Sequence, residues 1–198
     1  DHIIRAPGKL VLVGEYAVLD GAPAVVVAID RGVACAVWDD GAPLRITTPG
    51  GDDRFVRPAL TGTTGRYVFS DWNPVQLPDK PGFGGSAAAC VAACVAAGRP
   101  PADAFGIHHT VQGGGSGVDV AAAAYGGMLR FEAGAATPMP RPVCPVVVYS
   151  GQSARTGPRV AAYRAWPDRQ AFVRQSRAIV DTFADQPIVG LAAAGDLL

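Results

Sequence analysis

Lysine is almost missing from this chain. Only two of its 17 basic residues are lysines, Lys9 and Lys80, and both stand in segments that contain glycine and proline. A compact ammonium group is a common point-charge partner of phosphate. Either these two lysines were kept for contacts with an anionic ligand, or a general replacement of lysine by arginine spared them by chance.

An excess of charge of one sign is also missing. The formal net charge is +0 and the pI is about 7.0, which argues against a basic nucleic-acid-binding or membrane-surface protein. No apolar run reaches the roughly 18 residues that span a bilayer, and no secretory leader is recognisable at the N-terminus. We therefore expect a cytoplasmic monomer or homodimer whose partner is a small molecule, not nucleic acid or membrane.

Cysteine is scarce and scattered, at Cys35, Cys90, Cys94 and Cys144. Cys90 and Cys94 lie one helical turn apart in an alanine-rich stretch without a nearby histidine. This pattern predicts small core residues, and it does not favour a zinc site or a disulfide framework.

The first part of the chain is rich in β-forming residues and the later part is helical. Residues 3–13 form an apolar run broken at residues 6–9, residues 14–19 predict a short turn or helix, and a turn at residues 30–32 separates two antiparallel strands. The predicted strands cover residues 24–29, 33–38, 44–47, 66–71, 128–131 and 146–149. The predicted helices cover residues 86–97, 102–111 and 118–125, and two more begin at Gly157 and Pro167.

A glycine-rich turn, Lys80-Pro81-Gly82-Phe83-Gly84-Gly85-Ser86, runs directly into the alanine-rich helix. Glycines let backbone N–H groups approach a ligand, and the first turn of a helix offers unpaired N–H groups and partial positive charge. The turn fits neither the P-loop pattern nor the dinucleotide-binding pattern. It therefore predicts a phosphate-binding loop of another nucleotide fold.

Three segments, in this order, resemble those of the GHMP kinases, the superfamily of galactokinase, homoserine kinase, mevalonate kinase and phosphomevalonate kinase. Residues 6–9 (Ala-Pro-Gly-Lys) with residues 14–21 (Gly-Glu-Tyr-Ala-Val-Leu-Asp-Gly) resemble the first motif. Residues 80–88 resemble the ATP-phosphate loop, usually written P-x-G-L-G-S-S-A. Residues 112–127 resemble the segment that carries the acidic active-site residue, and residues 150–156 extend the likeness.

Within the superfamily the resemblance favours phosphomevalonate kinase. Mevalonate kinases usually have histidine where Tyr16 stands and proline where Gly115 stands. The lysine ahead of the second loop and the segment Ser-Gly-Gln-Ser-Ala-Arg-Thr at residues 150–156 look like the phosphomevalonate branch. The resemblance thus implies transfer of the ATP γ-phosphate to 5-phosphomevalonate. A mevalonate kinase and a non-catalytic binding module of the same fold are the alternatives.

The resemblance implies an α+β fold in two domains. Residues 1–142 would form the N-terminal ATP-binding domain, a ribosomal-protein-like α/β domain with a mixed or antiparallel sheet. Residues 143–198 would begin an incomplete ferredoxin-like C-terminal domain, after a proline-rich connector at residues 138–145. The late glycine-rich motif of the family is absent from this sequence, so we expect the chain to be part of a longer enzyme.

The resemblance also implies ATP and Mg²⁺ as cofactors and a phosphorylated or carboxylated small acid as substrate. Lys9 would neutralise developing charge, Asp119 would contact the acceptor oxygen or the lysine, and Ser86 would bind Mg²⁺. The implied ATP contacts are Lys80, Gly82, Gly84, Gly85, Ser86 and Ala87. The implied substrate contacts are Glu15, Tyr16, Ser116, Gly117, Ser150, Ser153, Arg155 and Thr156.

Some positions depart from the family or have structural alternatives. Gly85 stands where the first of two serines is usual, and His108 stands where mevalonate kinases carry a metal-binding glutamate. Asp119 is alternatively the N-cap of the helix that follows it, and Glu15 is alternatively a buried structural carboxylate. His108 and His109 are alternatively packed or surface residues and not ligands.

Overall fold

The structure is a computed structural model that describes residues 1–72, 82–139, 144–148 and 156–197. Its strands are β1 (His2–Val13), β2 (Ala24–Pro43), β3 (Arg45–Thr47), β4 (Thr64–Trp72), β5 (Met128–Glu132) and β6 (Ala135–Pro138). Its α-helices are α1 (Gly85–Ala96), α2 (Ala104–Gln112), α3 (Val118–Tyr125), α4 (Thr156–Ala165), α5 (Arg169–Asp185) and α6 (Pro187–Leu197). Short 3₁₀ turns lie at Ala17–Asp20, Pro49–Gly51 and Pro101–Asp103.

The described strands form one mixed sheet. Their order is β3-β4-β2-β5-β6, and β1 also pairs with β2. β2 runs antiparallel to β4, with Cys35 opposite Phe69, and antiparallel to β5, with Val25 opposite Arg130. β3 and β4 are parallel. The predicted α+β class with a mixed sheet is confirmed.

The internal contacts divide the chain into two units. The first comprises Asp1–Lys9, Ala28–Gln76 and Phe83–Gly126, and the second comprises Leu10–Val27, Leu77–Gly82 and Gly127–Leu198. The predicted domain boundary after residue 142 falls inside the second unit, and residues 140–143 lie outside the described residues. That boundary stays a prediction.

The core of the first unit lies between the sheet and α1. Val33, Cys35 and Val37 alternate along β2, so their side chains share one buried face. α1 is built from alanine, cysteine and valine and is buried on most of its surface. Because these side chains are small, α2 and α3 can both pack closely against α1.

The turn predicted at residues 30–32 is wrong, because β2 continues through it. A Cβ at Gly32 would lie only 2.1 Å from the carbonyl oxygen of Ala6. Glycine is therefore required here for the close approach of the neighbouring strand, and not for a turn. The apolar run broken at residues 6–9 is likewise a single strand, β1.

The core of the second unit is formed by strand residues and α5. Val13, Val25 and Met128 cluster with Val180 and Phe183, which α5 presents at helical spacing. α6 packs against α5 where Gly190 approaches Phe183; a Cβ at Gly190 would lie 2.6 Å from the Phe183 Cα.

The described residues depart from the sequence predictions at three further places. Residues 146–148 are not in a strand, and Val146 and Val148 are largely exposed, so the strand predicted there is wrong within the described range. Valine-rich runs favour strands only when a neighbouring strand pairs with them, and none of the described strands does. β6 and α6 were not predicted.

The cysteine prediction is confirmed for Cys35, Cys90 and Cys94, which are buried, and wrong for Cys144, which is exposed. Burial raises the pKa of Cys35 to about 12. Among the described residues, no helix is both long and apolar enough to cross a membrane.

The contact between α5 and α6 generates a stability test. We expect Gly190→Ala to lower the free energy of unfolding by about 1–3 kcal/mol, because the new methyl group would overlap the Phe183 backbone. Gly195→Ala in the same helix meets no atom within 4 Å and should be neutral or stabilise by up to about 1 kcal/mol. Urea denaturation measures both; equal changes would contradict the packing described here.

Candidate active site

The glycine-rich loop before α1 forms one wall of the site. Gly84 has a φ of +72° and is the N-cap of α1, and no described side chain caps this helix by a hydrogen bond. The exposed Gly85 and the half-buried Ser86 carry first-turn N–H groups at the end of the helix where the dipole is positive. Ala87 is fully buried, so its predicted contact with ATP stays a prediction. Such a helix end can bind an anion.

The loop lies directly on β1. The backbone N–H of Lys9 donates a hydrogen bond to the carbonyl oxygen of Phe83 over 2.9 Å. A Cβ at Gly8 would lie 2.6 Å from that same oxygen. Gly8 therefore allows the loop to contact the strand, and the contact places the Lys9 side chain beside the loop.

Lys9 and Asp119 form an ion pair next to Gly84. The Lys9 Nζ lies 3.3 Å from Asp119 Oδ1, and the side chains are 17% and 34% exposed. A Cβ at Gly84 would lie 3.1 Å from the Lys9 Cγ and 3.3 Å from Asp119 Oδ2. The structure thus brings the two predicted catalytic residues together at the predicted phosphate loop, and their catalytic roles stay predictions.

Asp119 lies within the first turn of α3, where the helix dipole stabilises a carboxylate. The N-cap of α3 is Gly117, with a φ of +84°, so the alternative that Asp119 is the N-cap is wrong. Ser116 precedes this cap, and its Oγ accepts a hydrogen bond from the N–H of Val118 over 3.3 Å. The hydroxyl proton of Ser116 is left to donate elsewhere.

Ser86 contacts His108, a contact that the sequence did not predict. The Ser86 Oγ lies 3.1 Å from His108 Nε2. His108 is buried, and its ring packs against Phe55 with centroids 4.9 Å apart, whereas His109 is exposed. Burial lowers the pKa of His108, although the charge of Asp119 opposes this shift. The imidazole next to Ser86 is therefore neutral at pH 7.

The site suits a Mg²⁺ ion that arrives with a nucleotide. Among the described residues, no group of three or more His, Cys, Asp or Glu side chains could hold a metal ion. Mg²⁺ prefers oxygen ligands and is usually held by one or two carboxylates, water and substrate phosphates. The Ser86 hydroxyl and the Asp119 carboxylate are oxygen donors of this kind. Ser86 as the metal ligand stays a prediction.

Glu15 and Tyr16 lie in the second unit. Glu15 is half-buried, not fully buried as its structural alternative required. Tyr16 has a φ of +61°, which is uncommon for a residue with a side chain. Its ring packs against Tyr163 with centroids 5.7 Å apart. Whether either residue contacts a substrate stays a prediction.

Asp20 connects the turn that follows Tyr16 to two helices of the second unit. The Tyr163 hydroxyl donates to Asp20 Oδ2 over 2.6 Å. The Arg169 Nε lies 3.4 Å from the same oxygen, an ion pair without hydrogen-bond geometry. Burial, followed by the hydrogen bond to Asp20, raises the pKa of Tyr163. Sequence patterns could not predict this contact, because its partners are 143 residues apart.

Some predicted site residues fall beyond what the structure describes. Lys80, Ser150, Ser153 and Arg155 lie outside the described residues, and Thr156 begins α4 without a described side chain.

A curated relative of the chain is the mevalonate kinase of Thermococcus sibiricus. The two are 30% identical over 203 residues, which cover 82% of this chain and 61% of that protein. The chain therefore spans about three fifths of the length of this relative. No protein-family model matches the chain.

Solved structures share the fold. The phosphomevalonate kinase of Streptococcus pneumoniae, in complex with phosphomevalonate and AMPPNP, aligns with a TM-score of 0.76 at 15% identity, over 100% of this chain and 79% of that chain. The mevalonate kinase of L. major, in complex with R-mevalonate, aligns with a TM-score of 0.66 at 19% identity, over 100% of this chain and 72% of that chain.

The crowding at Gly84 can be tested by stability alone. We expect Gly84→Ala to lower the free energy of unfolding by about 1–2 kcal/mol, because alanine is strained at positive φ and its methyl group would displace Lys9 and Asp119. Gly85→Ala, whose Cβ meets nothing within 4 Å, should be neutral or slightly stabilising. Urea denaturation of the two variants distinguishes a crowded position from a general effect of removing glycine.

The Asp20–Tyr163 hydrogen bond should contribute about 1 kcal/mol, which Tyr163→Phe removes at pH 7. Because the folded state raises the pKa of Tyr163, this contribution should be complete below the unfolded tyrosine pKa of about 10 and should decline as pH rises above it. Unfolding measured at pH 7 and above pH 10 checks both points. Tyr125→Phe, on an exposed ring, is the control. A pH-independent difference would contradict the linkage.

Proposed function

Because the chain belongs to the GHMP kinase superfamily, we propose that it forms part of an ATP- and Mg²⁺-dependent kinase of the mevalonate pathway that transfers the γ-phosphate to 5-phosphomevalonate. The observation that carries this proposal is the Lys9–Asp119 pair, 3.3 Å apart, beside Gly84 of the phosphate loop.

Phosphoryl transfer needs positioning and charge neutralisation more than covalent chemistry. The open N–H groups at the start of α1 would bind the nucleotide phosphates. The Lys9 ammonium would neutralise charge on the transferred group, and Asp119 holds Lys9 in place. The magnesium ion, when bound, would neutralise phosphate charge, and Ser86 would be its hydroxyl ligand.

Two residues favour 5-phosphomevalonate as the acceptor. Tyr16 stands where mevalonate kinases usually have histidine, and Gly115 stands where they usually have proline. Gly115 has a φ of +115°, whereas proline is restricted to a φ of about −65°. The backbone before Ser116 thus takes a conformation that the proline of the mevalonate kinase motif could not adopt. The S. pneumoniae structure, which shares the fold, is a complex with phosphomevalonate.

Mevalonate is the second candidate acceptor. The relative at 30% identity is named a mevalonate kinase, and the L. major structure holds R-mevalonate. The two acceptors place different demands on Asp119. An alcohol must lose a proton as it attacks, whereas a phosphate monoester with a second pKa of about 6 is already largely a dianion at pH 7. Asp119 needs to act as a general base only for the alcohol.

Asp119→Asn therefore tests the acceptor and the site together. With 5-phosphomevalonate we expect kcat to fall by less than the roughly 10²–10⁴-fold that is typical of a lost general base. With mevalonate as the true acceptor, the loss would reach or exceed that range. Asp103→Asn is the matched control. Asp103 lies in the 3₁₀ turn Pro101–Asp103 and forms a surface ion pair with Arg99. Full activity in Asp119→Asn would exclude Asp119 from the active site.

The decisive assay measures ATP consumption by the full-length protein with Mg²⁺ and, in parallel, mevalonate, 5-phosphomevalonate, homoserine and galactose. Turnover with 5-phosphomevalonate alone supports the proposal, and turnover with mevalonate alone supports the second candidate. Binding of Mg·ATP without turnover on any acceptor would overturn both and favour a non-catalytic module. Lys9, Ser86 and Asp119 together argue against that last outcome, whereas Gly85 and His108, which depart from the family pattern, favour it.

A further inference from the structure

His108 is held rigidly against the hydroxyl of Ser86. It lies on α2, which packs beside α1, and only 6% of its surface is exposed. The ring of Phe55 covers it at a centroid distance of 4.9 Å. Its Nε2 lies 3.1 Å from the Oγ of Ser86, the second residue of α1. Among the described residues, His108 is the side-chain hydrogen-bond partner of Ser86.

The hydrogen bond between these groups can run in either of two directions. A neutral imidazole carries its proton on either Nδ1 or Nε2. If Nε2 carries the proton, it donates to Ser86 Oγ and occupies one of its lone pairs, and the serine proton turns away. If Nδ1 carries the proton, Nε2 accepts the proton of Ser86, and both lone pairs of Oγ stay available to a cation.

We propose that His108 is a positioning residue that accepts the Ser86 hydroxyl proton at Nε2, so that the lone pairs of Oγ face the cation bound with the nucleotide. This inference rests on the proposed function, since it assigns His108 a role in that same nucleotide site.

Charge and burial support this direction. A cation repels a hydroxyl proton and attracts oxygen lone pairs, so the accepting imidazole is the form compatible with a Ser86–Mg²⁺ contact. His108 is only 6% exposed and its ring packs against Phe55, so packing holds its Nε2 beside the Ser86 hydroxyl. His108 offers a hydrogen-bond acceptor but, unlike the glutamate that mevalonate kinases carry at this position, no negative charge. Mg²⁺ would therefore be held mainly through the nucleotide phosphates and Asp119.

The first test is a two-dimensional ¹H–¹⁵N spectrum of the histidine side chains, recorded with Mg²⁺ and AMPPNP bound, because the argument for the accepting tautomer depends on the cation. The chain has three histidines, and His109→Gln helps to assign the buried one. We expect the His108 signals of the neutral tautomer with the proton on Nδ1 and an unprotonated Nε2. A protonated Nε2 overturns the proposal.

The second test measures the dissociation constant of AMPPNP by calorimetry, with Mg²⁺ and with EDTA. We expect His108→Phe, which keeps a ring against Phe55, to weaken binding about three- to tenfold with Mg²⁺ and to leave it unchanged in EDTA. His108→Gln keeps an acceptor oxygen and should recover part of the affinity. His109→Gln should match the unmodified protein in both conditions.

A double variant at His108 and Ser86 distinguishes a positioning role of His108 from a purely structural one. In the Ser86→Ala background, His108→Phe should cause no further loss of Mg²⁺-dependent affinity, because the hydroxyl that it positions is gone. Equal losses in Mg²⁺ and EDTA, or additive losses in the double variant, overturn the proposal. If the unmodified protein binds no nucleotide, the proposed function fails and the role of His108 fails with it. Normal binding that is insensitive to His108→Phe overturns only this inference.

Discussion

Lys9 and Asp119 meet beside Gly84, where the predicted phosphate loop has no side chain. The stem of Lys9 and a carboxylate oxygen of Asp119 occupy the space that a Cβ on Gly84 would need, and Gly8 removes a second side chain where the loop lies on β1. The Phe83 carbonyl then accepts the Lys9 N–H, which fixes the strand and the loop together. The placement of Lys9 beside Asp119 depends on this backbone contact. It explains why glycine occurs on both sides of it.

The parts of the fold that sequence could predict are those whose signals are local. α3 was predicted with its observed bounds, because glycines end the apolar helix pattern on both sides. β2 was predicted as two strands, because Asp30 and Gly32 are typical turn residues. The observed role of Gly32, close contact with the neighbouring strand, is not a local property of the sequence. The valine run at residues 146–148 was predicted as a strand from composition alone, which cannot show whether a partner strand exists.

The same distinction holds for the candidate site. Lys9, Asp119 and the glycine loop could be predicted because each belongs to a recognisable motif. His108 could not be paired with Ser86, because the two are 22 residues apart on different helices and no spacing rule connects them. The Asp20–Tyr163 hydrogen bond joins residues that are even further apart in the sequence, so the contact can be seen only in the structure. Tyr16 has a φ of +61°, which is uncommon for a residue with a side chain, and its ring packs against Tyr163, the residue that donates to Asp20.

The uncapped start of α1 has a consequence for how freely this sequence can vary. The donors that would face a bound anion there are backbone N–H groups, which do not ionise between acid and alkaline pH and which a side-chain substitution does not remove. Gly85, in the place of a serine usual in the resembled motif, keeps its N–H group and so keeps that donor. Substitutions of side chains around the glycine-rich loop could therefore change which ligand is preferred, while the backbone N–H groups that would bind an anion remain.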